Sequence, residues 1–374
     1  MPNDTPQTGS KPDEVHNQAG TEMESLDPTR HGEATREFEA FLRRRIIGQD
    51  AAIEAMSDIY QTFLVRMNPP GRPIANMLFL GPTGSGKTYV VEVVAEALSG
   101  NAKAFIKVNC AEFQEEHEIA KLIGSPPGYV GHGQTKPLIT QQALEQWYKP
   151  GLAPSLVLFD EIEKASGALW QLLLGILDKA TLTLGDNTEV DLSHAAICMT
   201  SNLGASEMTE MIQGGIGFVA GPTVVDESLD EKINRTALEA ARKKFSPEFI
   251  NRIDKLVVFK TLRPEHLEQI LELELAKVQQ RITNAVEQQH FTFECSPEAK
   301  RWLLQEGTDP RYGARHLKRV IEHNIVYALA NLIASQQVVT GDHVSIVVDD
   351  KGKLKFRKSV MVGKTALASA EKKA

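Results

Sequence analysis

Lys87 and Thr88 close an octapeptide, Gly81-Pro82-Thr83-Gly84-Ser85-Gly86-Lys87-Thr88, in which small residues and three glycines lead to a cation and a hydroxyl. That order of residue types suits a polyphosphate. Glycines let main-chain N–H groups turn inward around phosphate oxygens, the lysine reaches the β and γ phosphates, and the threonine hydroxyl can ligate Mg²⁺. The chemistry requires a strand before the loop and a helix after it, because the amides and the helix dipole must face the anion together. Both are expected here: Met77, Leu78, Phe79 and Leu80 form an apolar run, and residues 89–98 carry a helical pattern. The chain is therefore expected to bind a nucleoside triphosphate with magnesium.

A second apolar run, 156–159, ends in Asp160 and Glu161. Acidic pairs at strand ends often serve as solvated corners. Beside a phosphate loop, however, the first carboxylate suits a metal and the second suits activation of water. A third run, 195–200, leads to Asn202, whose amide could orient the attacking water or could simply start the turn at Gly204.

These residues need elements to hold them. Strand-like runs at 77–80, 105–108, 156–159, 195–200 and 256–259, with helical stretches between the early ones, predict an α/β fold. In it a largely parallel sheet lies between two helical layers, with ligands at the carboxyl ends of the strands. Residues 182–192, carrying Gly185-Asp186-Asn187, predict a short inserted hairpin. Ahead of the sheet, a helical pattern from Glu33 breaks at Ile46-Ile47-Gly48-Gln49 and resumes until the prolines at 69–73. Beyond Phe259 helices are expected at 264–282, 296–305 and 314–334, followed by a hairpin from 343–348 and 353–358. The expected organisation is a tail over 1–35, a nucleotide-binding domain over 36–260, a smaller and mostly helical domain over 261–358, and a second tail over 359–374.

Composition narrows the function classes. The 374 residues hold 49 acidic and 41 basic side chains, a net charge of −8, which argues against nucleic acid or anionic lipid as the main partner. No apolar run approaches the roughly 18 residues of a membrane span. Cys110, Cys198 and Cys295 are scattered without the paired spacing of a zinc site or disulfide framework, so they read as buried thiols in a reducing cytoplasm.

Seven ordered strings carry a family resemblance over about 44–358: Ile47-Gly48-Gln49-Asp50; residues 81–88; Gly124-Ser125-Pro126-Pro127-Gly128-Tyr129-Val130-Gly131; Asp160-Glu161-Ile162-Glu163-Lys164-Ala165; Thr200-Ser201-Asn202-Leu203-Gly204; residues 245–254, from Phe245 through Arg252 to Asp254; and Gly313-Ala314-Arg315. With them the chain resembles an AAA+ ATPase of the Clp family, in particular the second ATPase module of ClpA, ClpB and ClpC. The resemblance implies ATP and Mg²⁺ as cofactors, Walker A at 81–88, Walker B at Asp160 with catalytic Glu161, sensor 1 at Asn202, an arginine finger at Arg252 and sensor 2 at Arg315. It also implies that Ile46 and Ile47 lie against the adenine. Because the family supplies the finger from a neighbouring subunit, a homo-oligomeric ring, a hexamer, is expected. On the residues alone Arg252 could instead be a structural ion pair with Glu248 or Asp254.

By the same resemblance Tyr129 and Val130, flanked by Gly128 and Gly131, are a pore loop. An aromatic beside a branched aliphatic on a glycine hinge can grip an extended polypeptide without regard to its sequence. The following segment, 132–136, departs from the acidic family pattern and leaves substrate preference open. Ile216, Gly217 and Phe218 resemble the tripeptide with which some relatives dock a ClpP-type peptidase, and they serve equally as an apolar turn folded onto the body. The function expected is an ATP-dependent protein unfoldase or translocase acting on protein substrates, with a peptidase or adaptors as further partners. A peptidase-independent disaggregase is the alternative. A nucleic-acid remodeller and a nucleotide-gated scaffold fit less well, given the acidic charge and the presence of both Glu161 and Arg252.

Overall fold

The computed structural model describes residues 25–125, 136–205, 207–208, 227–285, 291–309 and 312–358. Seven strands occupy its first part: β1 (Ala75–Leu80), β2 (Ile106–Asn109), β3 (Ser155–Asp160), β4 (Thr181–Thr183), β5 (Glu189–Asp191), β6 (Ala195–Ser201) and β7 (Lys255–Val258). Five of them form one sheet in the order β2-β3-β6-β1-β7, with every neighbouring pair parallel. β4 and β5 pair as the expected antiparallel hairpin, with Asn187 taking the left-handed conformation at its turn.

β1 and β6 are buried at every position, as central parallel strands covered on both sides must be. Alternation sends Leu78, Leu80, Val157, Phe159, Ile197 and Met199 into one core, and Met77, Phe79, Leu156, Leu158, Ala196 and Cys198 into the other. The helix Gly167–Lys179 covers the first core with Leu169, Leu173, Ile176 and Leu177, spaced along one helical face. The helices Glu33–Arg43, Asp50–Leu64 and Lys87–Ser99 cover the second, through Leu42, Ile53, Val90 and Val94 among others. Each such fully buried side chain contributes about 1.5–3 kcal/mol, so this three-layer α/β body is held from both faces of its sheet.

A helix not read from the sequence, Glu227–Lys244, also lies on the first core. Its buried residues there, Ile233, Ala237 and Ala241, are four apart but mostly small, which leaves little apolar signal in a charged segment.

The C-terminal part has its own sheet and core. β8 (Thr292–Cys295), β9 (His343–Val348) and β10 (Leu354–Lys358) lie in the order β10-β9-β8, packed with Leu271, Leu303, Leu317 and Ile321 from three helices. The β9–β10 hairpin was expected. β8, parallel to β9, was not: a four-residue run between helices is too short to show a period, and only its pairing partner some fifty positions on makes it a strand. The expected single helix over 314–334 contains one π turn, Glu322–Val326, between Ala314–Ile321 and Tyr327–Ala334. There the Asn324 side-chain amide donates to the Val320 carbonyl oxygen at 2.9 Å, a local bond that competes with the helical ladder.

For function, the decisive feature is register. Leu80 pairs with Ser201, Phe159 with Met199 and Asn109 with Asp160, so the chain leaves β1, β3 and β6 along one edge of the sheet. Ligands of parallel sheets bind at that edge.

Candidate nucleotide site

A cavity of about 330 Å³ opens there, within the ordinary size range of small-molecule sites. The phosphate loop forms its floor. Gly81, Gly84 and Gly86 all take positive φ, which a side chain would strain, and a Cβ at Gly81 would meet the Phe259 carbonyl oxygen at 2.6 Å. Gly86 passes directly into the helix Lys87–Ser99, so the phosphate loop ends at a helix N-terminus, where an anion is favoured.

Lys87 is almost fully buried. Its Nζ donates to the Gly81 carbonyl at 2.7 Å, the Pro82 carbonyl at 2.9 Å and Asn202 Oδ1 at 2.9 Å. Burial brings its pKa down to about 8; Arg315 acts in the same direction, against the carboxylates of Glu163, Asp160 and Glu161. A bound polyphosphate restores the charged form. Binding near pH 8.5 therefore takes up a proton, and affinity falls as pH rises above about 8. Calorimetry in buffers of different ionisation enthalpy would read this uptake directly; its absence would show that the lysine stays charged in the free protein.

Thr88 Oγ1 donates to Asp160 Oδ1 at 3.3 Å. The same carboxylate oxygen accepts the Thr200 hydroxyl, while Asp160 Oδ2 pairs with Lys107 Nζ at 2.7 Å. Burial alone would raise the Asp160 carboxyl, but Lys107 and the two hydroxyls outweigh it and hold the group below the ordinary carboxylate range. Thr88 and Asp160 thus bring hard oxygen donors within reach of one point beside the phosphate loop, a donor set that suits Mg²⁺.

Glu161 stands at φ 57, a left-handed conformation unusual for a residue with a side chain. It is held there by its N–H, donating to Thr200 Oγ1 at 3.0 Å, and by an ion pair from its Oε2 to Lys164 at 2.7 Å. Glu161 Oε1 lies 3.5 Å from Asn202 Nδ2. Asn202 is anchored in turn by its N–H, which donates to Glu163 Oε1 at 3.1 Å. Strained backbone of this kind persists where the surroundings over-determine it, and functional sites are where it collects.

The C-terminal body closes the cavity from above. Arg315, near the start of the helix Ala314–Ile321, lines it with Ile46, Ile47, Leu262 and Ile270, which form an apolar end fit for a base. Ala314 N–H donates to the Gly84 carbonyl at 3.3 Å, and a Cβ on Gly84 would fall 2.0 Å from the Tyr312 carbonyl oxygen. Gln49, buried, donates to the carbonyls of Ser85 at 3.1 Å and Lys260 at 2.9 Å, tying the 46–49 segment to the phosphate loop.

The family described as "AAA domain (Cdc48 subfamily)" matches residues 72–256, and that described as "C-terminal, D2-small domain, of ClpB protein" matches 262–346. The chain belongs to the AAA+ ATPases of the Clp family. The chloroplastic chaperone protein ClpB2 of Oryza sativa subsp. japonica is 36% identical over 341 residues, covering 89% of this chain and 33% of the relative. The ClpC ATP-binding subunit of the Clp protease of Staphylococcus aureus is 36% identical over 314 residues, covering 84% and 36%. Among solved structures, a closed-state reconstruction of Hsp104 with ATPγS and FITC-casein superposes with a TM-score of 0.70 at 30% identity, covering 87% of this chain and 52% of that one. This Clp-family chain therefore spans about a third of the length of these curated relatives.

Of the residues singled out from the sequence of this Clp-family chain, Ile46, Ile47, Thr83, Gly84, Ser85, Gly86, Lys87, Thr88, Asp160, Glu161, Asn202 and Arg315 all line the one cavity, while Gly81 and Pro82 lie behind it with their carbonyls accepting from Lys87. Arg252 does not. It pairs with Glu248 Oε1 at 3.1 Å and Asp178 Oδ1 at 3.6 Å, while Asp254 pairs with Arg72 at 3.4 Å instead. Tyr129, Val130, Ile216, Gly217 and Phe218 lie outside the described residues.

Among the cavity residues not foreseen are Lys107, Tyr89, Glu274 and Lys318. Lys277 Nζ donates to Tyr89 Oη at 3.1 Å, Glu274 pairs with Lys277 at 2.9 Å and Lys318 at 3.3 Å, and both ammonium groups lie 4.8 Å from the centroid of the Tyr89 ring. The phosphate-loop helix is thereby fastened to two helices of the C-terminal body, with each cation–π contact worth about 0.5–1 kcal/mol. Tyr89 sits in an unremarkable helical pattern, and nothing in the sequence shows what faces it. Lys107 could be placed on the strand-like run 105–108, but that this strand lies beside β3 is seen only in the structure.

Proposed function

We propose that this chain is an ATP-driven protein unfoldase that works as a homo-oligomeric ring, a hexamer, threading polypeptide through its centre. One observation supports the reading above all others. Lys87, Thr88, Asp160, Glu161, Asn202 and Arg315 converge on a single cavity, while Arg252 is held on another flank of the same body.

Residues 36–260 act as the nucleotide-binding domain and 261–358 as its lid. The loop amides and Lys87 hold the phosphates, with Ile46 and Ile47 against the base. Magnesium, held by Thr88 and Asp160, supplies neutralisation of the phosphate charge. Glu161 takes a proton from the attacking water, which Asn202, its side-chain amide 3.5 Å from Glu161 Oε1, orients. Arg252 of one subunit reaches the γ phosphate bound by its neighbour, an always-charged planar group suited to the charge that develops there. Arg315 senses the same phosphate from the lid, so turnover rotates lid against body, a hinge-type change. Tyr129 and Val130 carry that motion to the substrate.

The relative named as a chaperone protein, ClpB2, favours a chaperone that works without a peptidase. The relative named as a Clp protease subunit keeps docking through Ile216, Gly217 and Phe218 as the second reading. We place the chain in the cytoplasm, a reducing compartment in which its three buried free cysteines would stay reduced.

Tyr129→Ala is expected to leave basal ATP hydrolysis near the wild-type rate and to abolish unfolding of a tagged, fluorescent substrate protein. Unchanged unfolding would remove Tyr129 from the pore. Adding a ClpP-type peptidase to the wild-type protein then separates the two readings by whether the substrate is degraded.

A further inference from the structure

Lys107 lies on β2, where it pairs with Leu158 of β3. Paired residues of neighbouring strands share a face, and so do residues two apart along one strand, so Lys107 and Asp160 lie on the same side of the sheet. This is also the side that carries the phosphate-loop helix, because Leu158 belongs to the core which that helix covers. The long lysine stem spans the remaining offset and brings Nζ within 2.7 Å of Asp160 Oδ2. The other carboxylate oxygen is engaged separately, by the hydroxyls of Thr88 and Thr200. Asp160 is mostly buried at 17% side-chain exposure, whereas Lys107, at 46%, is free to swing away.

We propose that Lys107 is a tethered counter-ion that competes with Mg²⁺ for Asp160 and so sets the magnesium requirement of nucleotide binding. Without metal the ammonium keeps the buried carboxylate charged and aimed at the phosphate loop. A divalent cation bound by Thr88 and Asp160 approaches the same carboxylate, and two cations sharing one anion at this distance repel each other. Metal entry therefore requires the lysine to leave, which its exposure permits. Lys107 acts here as a positioning residue, and the inference rests on the proposed magnesium site.

The experiment is a magnesium titration of the binding of a fluorescent, non-hydrolysable ATP analogue to the whole chain, so turnover plays no part in the readout. Lys107→Met is expected to lower the half-saturating magnesium concentration about three- to tenfold, the scale of a charge-assisted, partly exposed ion pair. Lys107→Gln should shift it the same way, and Lys107→Arg, which keeps the charge, should restore the wild-type value. An unchanged or raised magnesium requirement in the Met and Gln variants overturns the proposal. Asp160→Asn measured alongside separates the two claims. If that variant keeps the wild-type magnesium dependence, Asp160 is not the metal ligand and both fall; if it loses the dependence while Lys107→Met stays as wild type, the inference about Lys107 alone falls.

Discussion

Glu161→Gln is expected to slow ATP hydrolysis by about 10²–10⁴-fold, the usual contribution of a positioned general base, while ATP remains bound. The substitution is nearly isosteric and alters no part of the phosphate loop. It keeps the main-chain bond from residue 161 to Thr200 Oγ1, the 3.0 Å contact that helps hold the left-handed turn. What it removes is the carboxylate that faces Asn202 and pairs with Lys164. That ion pair is on the surface and worth about 0.2–1 kcal/mol, so the variant should fold. Phosphate release and nucleotide retention measured on the same preparation decide the matter. Loss of binding together with hydrolysis would mean that the side chain supports the fold of the site, and turnover at the wild-type rate would take it out of the chemistry.

Arg252→Ala should cost about 10³-fold or more in hydrolysis if the guanidinium completes a neighbour's pocket. Its contacts within its own chain predict little else. The ion pairs to Glu248 and Asp178 involve exposed carboxylates, and the Arg252 carbonyl that accepts the buried Asn76 amide at 3.0 Å belongs to the main chain, which the substitution leaves in place. A small change in melting temperature beside a large loss of turnover is the expected pattern. Mixing supplies the sharper measurement. A subunit carrying Arg252→Ala keeps its own Glu161, and a subunit carrying Glu161→Gln keeps its own Arg252. In a mixed ring some pockets then have both groups intact, so two nearly inactive proteins should regain activity together. Additive, unrescued rates would show that Arg252 acts, if at all, within its own chain.

The residues of the phosphate loop and the strand ends were legible because their chemistry is local. Glycine spacing, the lysine and the hydroxyl all fall within eight positions, and the apolar runs at 77–80, 156–159 and 195–200 announce the strands that carry them. Short or weakly apolar pieces were not legible. β8 exists only because β9 lies beside it, and the helix Glu227–Lys244 buries alanines that give little periodic signal.

Within the site the same division holds. Asp160 could be named from the end of its strand, but Lys107 is fifty-three positions away along the chain, and only strand pairing brings its ammonium to that carboxylate. Tyr89 could be placed on a helix, but the lysines around it come from helices nearly two hundred residues or more further on. The sequence by itself determined the type of fold, the phosphate chemistry and the family. Tertiary structure alone decided which charges stand next to one another, how Lys87 is driven toward neutrality, and that Gly84 lies under the C-terminal body. The physical reason is one of range: backbone preference and hydrophobic period act over a few residues, whereas burial and Coulomb forces act through space between segments that only folding brings together.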